Sequence, residues 1–167
     1  MEIKTNSIFT EVFRDGINNF LNQHYELPAA LNEIVNKGFR EAHDCILLEE
    51  GVYFSPPKLE TDFDKCSFED FFNHIHIDHY VNEPDEFEYL RIGVEFGRRL
   101  YVKLKELFSK KFRVTISYSN TTYDGEEIEV YGGCVVRFHT VRESCDAKFL
   151  IENLDVYETE AVVTFEG

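Results

Sequence analysis

Three imidazoles and one carboxylate crowd into the stretch Phe71-Phe72-Asn73-His74-Ile75-His76-Ile77-Asp78-His79, in the pattern H-x-H-x-D-H. Nitrogen and oxygen donors of this kind suit borderline divalent metals such as Zn, Ni and Co. What they can do depends on the element that carries them. On a strand, Ile75 and Ile77 point inward and His74, His76 and Asp78 share the solvent side. On a helix, Phe68, Phe71, Phe72, Ile75 and His79 share one face and the remaining histidines scatter. A second pair, Asp62-x-Asp64, lies in an acidic stretch and offers the oxygen donors that hard cations take. Cys45, Cys66, Cys134 and Cys145 form no C-x-x-C pair and read as buried, reduced thiols. Cys134, His139 and Cys145 match no zinc spacing. The chain has no G-x-S-x-G, no P-loop and no dinucleotide fingerprint.

The string from His74 to His79 resembles the metal-binding motif of metallo-β-lactamase-fold hydrolases. That resemblance implies His74, His76, Asp78 and His79 as ligands of one or two zinc ions that activate water, and hence a small metal-dependent hydrolase. It covers only the motif. In that family the motif follows an apolar strand, and further histidines and a carboxylate come downstream. Here Ser67-Phe68-Glu69-Asp70-Phe71-Phe72 precedes it as a capped helix start, and only His139 remains beyond His79. We therefore read the match as incidental, and the expectation from sequence is a chain with no metal site, no cofactor and no catalytic set.

Charge is the stronger signal. The chain of 167 residues has 32 acidic and 17 basic residues, formally −15. Such an excess opposes nucleic acid and anionic membranes as partners. Residues 49–88 and 124–167 hold most of the surplus acid, and residues 89–123 are basic. With 16 Phe and 9 Tyr, the acidity belongs to a chain able to fold, since disordered acidic chains lack aromatics. The length fits one domain, 1–167. No early apolar run of signal-peptide type appears, so the expected location is cytoplasmic.

The elements follow from periodicity. Ile8, Phe9, Val12, Phe13, Ile17, Phe20 and Leu21 recur at helical spacing from Ser7 to about His24, with Asn6 or Ser7 as cap. Pro28 opens a second helix whose buried side is Leu31, Ile34, Val35, Phe39 and Ala42, and the two helices are expected to form a hairpin. Cys45 to Phe54 reads as one or two short strands. The longest helix is expected over Glu83 to Phe108, capped at Asn82, with Gly93 and Gly97 allowing close approach to a sheet. Its acidic start and lysine-rich end match the macrodipole, which accounts for most of the basic stretch. Phe112 to Ser119 alternates as a half-buried strand, Asn120 to Gly125 turns, and Ile128 to Val141 is a long strand broken at Gly132-Gly133. An irregular piece spans Asp146 to Leu154, and Tyr157 to Phe165 alternates again. Helices first and strands last predict an α+β fold, with an antiparallel sheet packed against an N-terminal helical pair and one long central helix.

These features point to a non-catalytic acidic protein that occludes a basic protein partner. Short acidic α+β chains without a catalytic set resemble, in overall character, the immunity proteins that neutralise bacterial toxins. The charge makes a basic protein that itself acts on nucleic acid the expected partner, and the resemblance implies stoichiometric occlusion of a toxin's active site or substrate-binding face. The expected contact is the acidic hairpin Tyr123, Asp124, Glu126, Glu127, Glu129 and Tyr131, with the tyrosines as anchors. The stretch from Glu60 to Asp70 is the second choice.

Overall fold

The computed structural model describes residues 1–12, 23–51, 58–81, 86–120, 122–130, 132–144 and 152–167. Its frame is a five-stranded antiparallel sheet in the order β1-β9-β5-β8-β4. The strands are β1 (Glu2–Thr5), β4 (Ile75–His76), β5 (Phe112–Ser119), β8 (Gly133–Thr140) and β9 (Ala161–Glu166). Two ribbons stand apart from it: β2 (Phe39–Ala42) with β3 (Cys45–Leu48), and β6 (Thr122–Asp124) with β7 (Glu127–Val130). The helices are α1 (Ser7–Val12), α2 (Ala29–Lys37), α3 (Asp62–Phe72) and α4 (Glu86–Leu107). The fold is α+β, as expected.

The period-two pattern of β5 decides which side of the sheet α4 covers. Phe112, Val114, Ile116 and Tyr118 are buried in the main core with Val136, Phe138, Val163 and Phe165. Leu90, Val94, Leu100 and Leu104 of α4 join the same cluster. Gly93 and Gly97 are what let the helix lie so close. A Cβ on Gly97 would stand 2.9 Å from Ile116 Cδ1, and one on Gly93 would collide with the Cys134 thiol. On the opposite face of β5 point Arg113, Thr115, Ser117 and Ser119.

Several expectations need correction. The helix opened by Pro28 ends at Lys37, because Gly38 turns to φ 78° and its N–H closes the helix onto Ile34. Phe39 and Ala42 are therefore strand residues paired with Leu48 and Cys45. His43 and Asp44 make the tight turn between them with φ of 54° and 61°, the left-handed pair that two-residue hairpins require. Asn6 does cap α1, accepting from Phe9 N at 2.9 Å, and it also accepts from Val162 N. Among the described residues the principal packing of α1 is on β9 and that of α2 is on α4, and the expected helical hairpin rests on residues outside the description. The rest of the first predicted helix, Asn82 and Pro84 at the start of the long one, and most of Asp146 to Leu154 lie outside the described residues.

Asp62 and Asp64 belong to no loop. Thr61 caps α3 with a reciprocal pair: its hydroxyl accepts from Asp64 N, and the Asp64 carboxylate accepts from Thr61 N at 2.9 Å. The last strand begins at Ala161, after a 3-10 turn at Leu154–Val156. Cys66 is disulfide-bonded, against the expectation of four reduced thiols, while Cys45 and Cys134 are free and buried. Among the described residues, no helix is long and apolar enough to cross a membrane.

Candidate metal centre

The polar residues of α3 set the position of the histidine segment. Glu69 is fully buried at the junction between the β2–β3 ribbon and the sheet. It accepts from Ile46 N at 2.8 Å, Thr140 N at 2.8 Å and Thr140 Oγ1 at 2.9 Å, and it holds Arg142 at 2.7 and 3.0 Å. Asn73, the C-cap of α3, accepts from Leu48 N and donates to Ile46 O and Phe138 O. Two side chains thus stand in for the strand that β3 lacks on one edge. They also fix where α3 must end and where the next residues begin.

From that anchor the chain enters β4, whose Ile75 and His76 pair with Val136 and Val135. It then makes a single 3-10 turn, Ile77–His79, closed by Tyr80 N onto Ile77 O at 2.9 Å. Ile77 is fully buried and pins this turn to the core. Neither a continuous strand nor a helix forms, so the set that converges differs from both expected sets. Donor atoms of His76, Asp78 and His79 all lie within 4.8 Å of one another. The rings of His76 and His79 stack at 5.0 Å with an interplanar angle of 22°. His79 Nε2 is 3.8 Å from Asp78 Oδ2. His74 stands beside this group, its ring edge-on to His76 at 5.4 Å and its Nδ1 against Phe71 O.

Burial pushes the His76 imidazole below its ordinary pKa, with the Asp78 carboxylate pulling the other way. The neutral ring, which alone has a free nitrogen lone pair, is favoured. Asp78 Oδ1 is buried with no hydrogen-bond partner. Gly133 makes room for it, since a Cβ there would lie 2.8 Å from Asp78 Oδ1. Beside the group opens a cleft of about 260 Å³ on the sheet face away from α4, lined by His76, Asp78, Ser117, Ser119, Gly133 and Glu160 among others.

The acidic hairpin springs from the rim of the same cleft, because Ser119 pairs with Gly133 at the end of the β5–β8 ladder. Asp124, Glu126 and Glu127 are exposed at its turn, and none forms an ion pair with a described residue. Tyr123 and Glu129 lie in its two strands with side chains outside the description, and Tyr131 lies outside the described residues. In the stretch from Glu60 to Asp70 three of the carboxylates have partners within the protein. Glu69 is buried, Asp64 caps α3, and Asp70 sits 3.6 Å from Arg137. The Glu69 junction escaped sequence reasoning because its partners Ile46, Thr140 and Arg142 are remote in the chain. The only local sign of it was an acidic residue inside an aromatic run.

No curated protein and no solved structure matches this chain. One family model does, over residues 4–166, and the chain therefore belongs to the Uncharacterized protein PM0498 family.

Proposed function

We infer that this chain is a non-catalytic acidic binding protein that occludes a basic protein partner, with a nucleic-acid-acting toxin as the partner class and cytoplasmic neutralisation as the task. The observation that carries the reading is an imbalance of pairing. Several cations of the basic stretch are paired internally: Arg98 and Arg99 with Glu95, Lys110 with Glu41 and Asp44, Arg113 with Glu166. The carboxylates of Asp124, Glu126 and Glu127 have no such partner among the described residues and sit on a ribbon separate from the sheet. Carboxylates on an exposed turn can steer a cationic partner and raise its on-rate.

The test is affinity capture from the native organism's lysate at low and high salt, with the wild-type chain and with Asp124, Glu126 and Glu127 all reversed to Lys. One basic protein held near stoichiometry by the wild type, released by salt and lost on charge reversal supports the reading. Equal capture by the reversed variant removes the hairpin from the interface, and capture indifferent to salt removes the electrostatic mechanism.

A further inference from the structure

Between Asn73 and Tyr80 the chain is pinned to the core, and three donor side chains converge there within 4.8 Å of one another. The pinning is specific. Asn73 and Ile77 are fully buried, and His76 is held in the ladder opposite Val135. Asp78 and His79 therefore project from a closed turn of fixed shape. Such placement fixes the backbone of the donors before binding and so lowers the ordering cost.

Two independent features show that the Asp78 carboxylate is prepared for a ligand the protein does not supply. Its Oδ1 is buried without a hydrogen-bond donor, and buried carboxylate oxygens are seldom left so. The backbone opposite is Gly133, where a Cβ would lie 2.8 Å from that oxygen. A cation satisfies the orphaned oxygen. Which cation follows from the other two donors: imidazole nitrogen is a poor partner for Mg and Ca, which take oxygen, and a good one for the borderline divalent ions.

The geometry points to a binding site for one zinc-class divalent ion formed by His76, Asp78 and His79, with a fourth position open toward the Ser117–Glu160 cleft. Tetrahedral zinc with bonds of about 2.0–2.2 Å sets its ligand atoms about 3.3 Å apart. His79 Nε2 and Asp78 Oδ2, at 3.8 Å, are already close to that separation. The His79 side chain is 70 % exposed and so has room to rotate toward an ion. Two histidines and one carboxylate leave the ion a place for water or a small oxygen ligand, which the cleft admits. His74 is outside this set, which separates the site from a mere run of histidines. The site stands independently of the acidic-hairpin reading.

The experiment uses the full chain without a histidine tag, stripped of metal and dialysed against Zn²⁺, with bound metal measured by mass spectrometry and a parallel Co²⁺ titration followed by absorbance. Expected are one equivalent on the wild type and on His74→Ala, and an affinity lower by about 100-fold or more in Asp78→Asn and His79→Gln, since even outer-sphere partners cost 10–100-fold. Both losses are read in variants whose circular dichroism matches the wild type. His79 is largely exposed and Asn keeps the shape of Asp, so neither change disturbs the core. A wild type that retains no zinc overturns the proposal. So does undiminished binding in Asp78→Asn, or an equal loss in His74→Ala, which would mark loose chelation by neighbouring imidazoles. A thiolate charge-transfer band with Co²⁺ also overturns it, by placing the ion on cysteine.

Discussion

Glu69 and Asp78 lie nine positions apart on one continuous segment, and each points a carboxylate into a partly or fully buried setting. The first is closed. Both of its oxygens accept from backbone or hydroxyl donors, and the Arg142 guanidinium grips them together. The second is open. One oxygen has no donor, the other faces His79 at 3.8 Å, and a glycine has cleared the space in front. Burial alone therefore does not separate a structural carboxylate from a functional one. The distinction lies in whether the protein itself supplies every partner, because an unmet buried oxygen is a standing cost that only an outside ligand removes.

The strongest way to break this comparison is at Glu69. Replacing it with Ala strands the Arg142 charge and leaves the N–H groups of Ile46 and Thr140 without acceptors. We expect a loss of about 3–5 kcal/mol, read as a large fall in the urea midpoint. Asp78→Asn removes a charge that nothing in the protein pairs by hydrogen bond at Oδ1. Its stability without metal should change by no more than about 1 kcal/mol. Comparable losses in the two variants would erase the contrast. The next largest effect is ligand-linked: with free Zn²⁺ at about 100 times Kd the wild type should gain about 2.7 kcal/mol, a rise of about 5–10 °C in Tm. Asp78→Asn should gain almost nothing in the same differential scanning run.

The sequence made these two regions legible to different degrees, for physical reasons. The long helix was visible because its apolar residues recur at helical spacing, and β5 because apolar and polar residues alternate along it, although Arg113 and Ser117 on its polar face are buried too. The β3 strand Cys45–Leu48 is buried on both sides and so carries no alternation. Its partner Phe39–Ala42 prolongs the helical pattern of the preceding residues, and only the backbone of Gly38 breaks it. The edge strand Glu2–Thr5 is too short and too polar to announce itself. At the candidate centre the residue types were legible but the set was not. Strand geometry would gather His74, His76 and Asp78, and helical geometry would scatter them. The chain follows one strand residue with one 3-10 turn, a conformation with neither period, and so brings His79 in and leaves His74 out.

Glycine substitutions sharpen the contrast at smaller cost. Gly133→Ala drives a methyl group against Asp78 Oδ1, and Gly97→Ala drives one against Ile116 Cδ1 at 2.9 Å. Each should lose about 1–3 kcal/mol through overpacking. Only Gly133→Ala should also abolish the stabilisation by Zn²⁺, because only there does the methyl occupy the carboxylate's space. If Gly97→Ala removes the metal response equally, the response reports general loosening and not the Asp78 pocket.

The smallest expected effect belongs to a third kind of carboxylate, Asp44, which lies beside the Glu69 junction but on the surface. Its side chain is 62 % exposed and pairs with Lys65 at 2.7 Å and Lys110 at 3.4 Å. The hydrogen bond from Lys65 holds its pKa below the ordinary aspartate value, helped by Lys110 and opposed by partial burial. A carboxylate with a lowered folded-state pKa contributes stability that is complete above the unfolded value of about 3.9 and is lost as pH falls through the folded value. Solvent and salt screen this pair, so Asp44→Asn should cost less than about 1 kcal/mol at neutral pH. The variant should also lose less stability than the wild type between about pH 4 and pH 2, and added salt should shrink the difference between the two. Urea midpoints across that range measure it. A cost at neutral pH as large as that of Glu69→Ala would mean that the junction extends to the surface through Asp44, whose carbonyl accepts from Arg142 at 2.9 Å. The boundary between closed and open carboxylates would then have to be drawn by shared networks rather than by exposure.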